Sequence, residues 1–216
     1  MKRLFFGILP VVSLVGIAVV PTVASASSSI CDAVAGNLVV NCGFEGGSVG
    51  TIPNNWTVNA DYLAFPGFNH VTSSPVNSGN FALQIGNDDP AVGQGIPMLS
   101  QSFADTPGQT YNVSYYLQDQ STGTASGDPN AFFDAEINST IRSSFTGVTG
   151  PGPYTKETFT FTGTGTDILT FAADTSPGEW YLDDVVVTAV PLPAAAWLLL
   201  SGLGGLGILR RRRGEF

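Results

Sequence analysis

Basic side chains are scarce where they would matter most. The chain has eight Lys and Arg, but between residues 27 and 189 the only ones are Arg142 and Lys156. Sixteen acidic residues stand against them there, a net charge of −14. Such a segment repels nucleic acid phosphates, which excludes a nucleic acid partner, and it repels anionic membrane surfaces. Histidine is almost absent too. His70 is the single one, and neither G-x-S-x-G nor H-E-x-x-H accompanies it, so hydrolase triads and zinc-protease sites have no support. With no recognisable acid/base pair among the carboxylates, the expectation is a protein that is not an enzyme. Cysteine is limited to Cys31 and Cys42.

Long apolar runs occur only at the two ends. Lys2 and Arg3 precede an apolar stretch from Leu4 to Val20, followed by Ala24-Ser25-Ala26. A charged start, an apolar middle and a small-residue site in that order predict a secretory signal peptide over residues 1–26. An uncleaved anchor helix is the alternative, though Pro10 and Pro21 weaken it. In an exported chain the isolated cysteine pair, eleven residues apart, predicts a structural disulfide between Cys31 and Cys42.

Residues 27–189 have the length of one ordinary domain. Period-two alternation recurs: Tyr111, Val113, Tyr115 and Leu117 share one face, and Phe133, Ala135 and Ile137 alternate with Asp134, Glu136 and Asn138. Turn signals at Pro66-Gly67, Asn77-Ser78-Gly79, Pro107-Gly108, Gly150–Pro153 and Ser176-Pro177-Gly178 separate the runs. About ten short strands without helical periodicity predict an all-β fold, an antiparallel jelly-roll β-sandwich. In EWYLDDVVV, Trp180 and Leu182 have one parity and Val185 and Val187 the other. A bulge at Asp183-Asp184 would put both pairs in the core and place two carboxylates at the kink.

At the C-terminus, Val190-Pro191-Leu192-Pro193, an apolar segment over residues 194–209 and Arg210, Arg211, Arg212 and Arg213 follow one another. This tripartite pattern over residues 190–216 resembles the PEP-CTERM sorting signal, with Leu192 where the commonest form has Glu. The resemblance implies an exported protein of a Gram-negative, exopolysaccharide-making bacterium. It implies an exosortase-type membrane transpeptidase as partner, and passage from the inner membrane to the cell surface, outer membrane or extracellular matrix. Sixteen helical residues reach about 24 Å, short of a hydrocarbon core of roughly 30 Å. The arginines would hold the end of a transmembrane helix in the cytoplasm. That contact with the membrane is transient if the signal is removed. A permanent single-pass anchor is the alternative.

Within the domain, NLVVNCGFEGG (37–47), NNWTV (54–58), NSGNFALQI (77–85), PGQTYNVSYYL (107–117) and EWYLDDVVV (179–187) appear in order. The set resembles the galactose-binding-like jelly roll of carbohydrate-binding modules and DUF642-type cell-wall proteins. The resemblance implies a structural Ca²⁺ held by Glu45, after N-x-x-F, and Asp183, in the terminal L-D-D. It also implies a polysaccharide partner. Sugar sites need aromatic platforms and a few planar hydrogen-bonding groups, for which Tyr116, Trp180 and Tyr62 are the candidates, with Phe65 and Tyr181 behind them. A structural or adhesive matrix component without a discrete ligand is the alternative function.

Overall fold

The computed structural model describes residues 28–87, 95–120, 131–146, 151–174 and 179–191. The signal-peptide, apolar-segment and arginine expectations, together with Leu192 and Pro193, lie outside the described residues, as do Gly150 of the Gly150–Pro153 turn signal and the Ser176-Pro177-Gly178 signal. The described part is a sandwich of two five-stranded antiparallel sheets, the jelly-roll class expected.

The first sheet has the order β1 (Thr57–Val58), β4 (Met98–Ala104), β9 (Thr166–Asp174), β6 (Phe132–Ile137) and β7 (Thr140–Thr146). The second has β2 (His70–Thr72), β3 (Ala82–Ile85), β10 (Trp180–Ala189), β5 (Thr110–Asp119) and β8 (Thr155–Thr162). Among the described residues, helix is limited to a 3₁₀ turn at Ile30–Ala33 and a five-residue α1 at Ala60–Ala64. The Asn59 side chain starts α1 by accepting from the Tyr62 N–H.

Alternation fixes which face is buried. Tyr111, Val113, Tyr115 and Leu117 of β5 meet Phe133, Ala135 and Ile137 of β6 in the core. Aromatic rings link the sheets: Tyr115 lies 5.2 Å edge-on to Phe171, and Phe133 stands 5.7 Å from both Phe171 and Trp180. Each such pair is worth about 0.5–1.5 kcal/mol beyond area burial.

β10 slips phase where expected. It pairs with β5 as Asp183↔Tyr116 and then Val186↔Ser114, so Asp184 and Val185 oppose one residue. Asp184 takes φ +52°, the left-handed region that Asp tolerates better than most side chains. Leu182, Val185 and Val187 are all fully buried as a result.

The N-terminal segment closes one open side. Val185 N–H donates to the Cys42 carbonyl, Leu38 N–H to Val187, and the Gln101 side chain bridges to the Val40 backbone. The Cys31–Cys42 disulfide forms, with Cα atoms 6.1 Å apart, and pins the 3₁₀ turn to this plug.

Candidate functional site

The outward faces of the two sheets differ. On the second sheet Gln84, Gln118, Tyr181, Ser114 and Val186 point away from the core, yet all are buried. They are roofed. Gln118 donates to the Gly152 carbonyl, Tyr154 Oη donates to the Pro75 carbonyl across the face, and the 3₁₀ turn covers Ser114 and Val186.

Beneath this roof lies an acidic clamp. Asp183 Oδ2 accepts from the N–H groups of Asn77 (2.9 Å) and Ser78 (3.1 Å), and its Oδ1 accepts from Asp184 N–H. Asp184 accepts from Ser29 Oγ, Cys31 N–H, Ser78 Oγ and Asn77 Nδ2. Glu45 accepts from the N–H groups of Asn80 (2.7 Å) and Phe81 (3.0 Å) and from Asn80 Nδ2. Gly79 has φ +68° with the Glu45 carboxylate against its Cα, leaving no room for a Cβ. Burial, and then the charge of Asp184, push the Asp183 carboxyl up to about 8, against the pull of its three N–H donors. Asp184 thus has as large a share in the clamp as the two residues singled out from sequence. Its adjacency to Asp183 was visible; its partners, up to 155 residues away, were not.

Glu45 and Asp183 each keep one acceptor position unused by these N–H groups, and hard oxygens suit calcium. Apart from Cys31, Asp32 and Cys42, whose thiols are spent in the disulfide, no three candidate ligand atoms among the described residues converge within 4.8 Å. A calcium ion here would therefore draw heavily on backbone carbonyls.

The sugar-platform candidates are dispersed. Trp180 opens β10 with inward parity and stands among core rings, 5 % exposed. Tyr62, in the first turn of α1, is 1 % exposed, and burial drives its hydroxyl far above its ordinary range. Neither offers a ring face to a sugar, because inward parity and core packing claim both. Tyr181 lies under the roof and Phe65 is half-buried at the end of α1. Tyr116 is half-exposed beside a depression of about 90 Å³ lined by Ile30, Val34, Ser114 and Lys156, with the ammonium 5.9 Å from its ring centre. A cleft of about 360 Å³ at the open edge of β4, between Val40 and Ala104, has no ionisable lining residue.

The outward face of the first sheet carries no comparable hydrogen-bonded roof among the described residues, although Asp134 and Ala172 on it are buried. Register sets Ser100, Thr170, Glu136 and Ile141 in one row across β4, β9, β6 and β7, and Met98, Ala172, Asp134 and Ser144 in the next. Half of these eight are small or hydroxylated: Ser100, Thr170, Ala172 and Ser144. Along β6 the same face presents Phe132, Asp134 and Glu136 at successive outward positions, the first and last half-exposed. Asp134 is 9 % exposed, and its Oδ1 accepts from no donor. Burial, and then the charge of Asp134, hold the Glu136 carboxyl above its ordinary range. An aromatic ring with two planar carboxylates on one sheet face can stack one face of a sugar and accept from its hydroxyls. The polar parity of this strand was legible in sequence; its exposure was not.

No protein-family model and no curated protein matches the chain. Solved structures do. TmCBM61, in complex with beta-1,4-galactotriose, is 18 % identical with a TM-score of 0.51, covering 71 % of this chain and 99 % of its own. The Stig cyclase Fisc from Fischerella sp. TAU, in complex with a pyrrolidinylidene indole, is 16 % identical with a TM-score of 0.52, covering 73 % and 99 %. The chain shares the sandwich of a carbohydrate-binding module and of a cyclase. At these identities the likeness is one of fold.

Proposed function

We propose that this protein is an exported, non-catalytic glycan-binding β-sandwich, and that the outward face of the first sheet is its sugar seat. The observation that supports the reading is the stripe of Phe132, Asp134 and Glu136 on the outward face of the first sheet, where no described residue satisfies the Asp134 Oδ1. Phe132 supplies the stacking surface, Asp134 and Glu136 accept from sugar hydroxyls, and Ser100 and Thr170 add hydroxyls of their own. TmCBM61 holds a galactotriose on the same fold, which makes polysaccharide the natural partner class. A glycan array probed with the full-length protein, its Phe132→Ala variant and its Tyr116→Ala variant tests this. Binding lost in the first and kept in the second supports the sheet face. The reverse result supports the depression beside Tyr116, whose half-exposed ring favours it as the second reading.

In the same reading, Glu45 and Asp183 hold a structural calcium that neutralises the clamp. The C-terminal signal, from Val190 to Arg213, passes the protein through an exosortase-type enzyme at the inner membrane to the cell surface or exopolysaccharide. Mass spectrometry of the native C-terminus decides between processing and a permanent anchor: recovery of intact Arg213 in the inner membrane alone would contradict sorting.

A further inference from the structure

We propose that the outward face of the first sheet selects a glycan carrying free amines, a polymer of de-N-acetylated hexosamine, over neutral or anionic glycans. The inference rests on the reading of that face as the sugar seat and narrows its ligand. Two independent features point the same way. Asp134 is an outward-pointing carboxylate that is only 9 % exposed, with an oxygen shut off from water and accepting from no donor. Native proteins satisfy such buried acceptors, so this one is poised for a donor that the described residues do not supply. Glu136, two residues on and on the same face, feels the charge of Asp134 and accepts no hydrogen bond from a described side chain or loop N–H.

No counter-charge answers this pair. Neither carboxylate forms an ion pair among the described residues, although Arg142 stands on the neighbouring β7, exposed at the bulge that opposes Ala135 and Glu136. A neutral sugar laid over the stripe strips the remaining water from two adjacent carboxylates and returns only hydroxyl hydrogen bonds. Burying a charge that way is costly unless an opposite charge comes with it. An ammonium on the sugar brings that charge and forms the shorter, stronger charge-assisted bonds. The Asp134 carboxylate turns about a soft terminal torsion, so its unsatisfied oxygen can be presented to a ligand on the face. An anionic glycan meets repulsion from both carboxylates and from the −14 charge of residues 27–189.

The test measures binding of the full-length protein to glucosamine hexamer, N-acetylglucosamine hexamer and a neutral galactose oligomer, at about 50 mM and 500 mM salt. The expected result is at least a tenfold preference for the amine form at low salt, shrinking at high salt as screening takes hold. Asp134→Asn and Glu136→Gln, each checked for folding by circular dichroism, should reduce the preference to about twofold. Removing two acids elsewhere, with Asp32→Asn and Glu157→Gln together, should leave it intact, which separates a built site from general acidity. Equal or tighter binding of an uncharged oligomer overturns the inference while leaving the sugar seat standing. A preference that survives Asp134→Asn and Glu136→Gln also overturns it. If no glycan binds the face at all, the underlying reading fails first.

Discussion

Replacing Asp184 with Ala should cost this domain about 4 kcal/mol, and the figure can be assembled from its contacts. Ser29 and Cys31 are each 1 % exposed and both donate to Asp184; the Cys31 N–H keeps the Ser29 Oγ as an acceptor, so truncation strands the buried Ser29 hydroxyl. One orphaned buried group costs about 1–3 kcal/mol, and the hydroxyl's full burial puts it toward the upper end. Asn77 and Ser78 are only partly buried and can turn to water. The backbone adds the rest: φ is +52° at this bulge, and a residue without a polar side chain pays about 1–2 kcal/mol there. Relief of repulsion with Asp183 offsets a little of this. Asp184→Asn keeps the shape, one acceptor oxygen and the tolerance for positive φ, so it should lose about half as much. In a domain of this length, 4 kcal/mol lowers the melting temperature by about 8–16 °C. Calorimetry on wild type, Asp184→Asn and Asp184→Ala gives the ranking. Equal losses for the two variants, or a loss below about 1 kcal/mol for Ala, would refute the clamp as described.

The Cys31–Cys42 bridge closes a short loop with a separation of 11 residues. On chain-entropy grounds its removal by a double Ser substitution should cost about 3 kcal/mol, read as a fall in denaturation midpoint at constant slope. Millimolar calcium should raise the melting temperature relative to EDTA, by the equivalent of about 2.7 kcal/mol at a hundredfold excess over Kd, and Glu45→Gln should abolish the difference. An unchanged melting temperature would remove calcium from the account. Once the glycan's amines are fully protonated, binding should weaken as pH falls further. Because the Glu136 carboxyl is held above its ordinary range, protonation sets in at a higher pH than for a free glutamate. The Glu136→Gln variant should lose that inflection in a binding titration run across acid pH.

Strand β5 could be read from its sequence because every inward residue from Tyr111 to Leu117 is large and apolar, and every one is buried. The bulge in β10 was equally legible, since no straight strand can turn Leu182 and Val185 to the same face. Trp180 and Tyr62 resisted the same treatment. An aromatic residue near an acidic motif suits either a core or a sugar platform, and parity against partners 60 or more residues away decides which. The stripe on β6 shows the complementary limit. Alternation announced that Asp134 and Glu136 face outward, but which outward face is roofed depends on where the Pro75–Asn80 loop and Tyr154 come to rest. Those contacts span 79 and 106 residues, beyond the reach of any local pattern.

The most direct test of the sugar-seat claim maps a bound oligosaccharide onto the backbone amides by nuclear magnetic resonance titration. The account predicts that shifts concentrate on β6, β9 and β4 around Phe132, Glu136, Thr170 and Ser100, with β8 and the 3₁₀ turn silent. Shifts gathered instead around Tyr116, Lys156 and Ile30 would place the seat on the opposite sheet and contradict it.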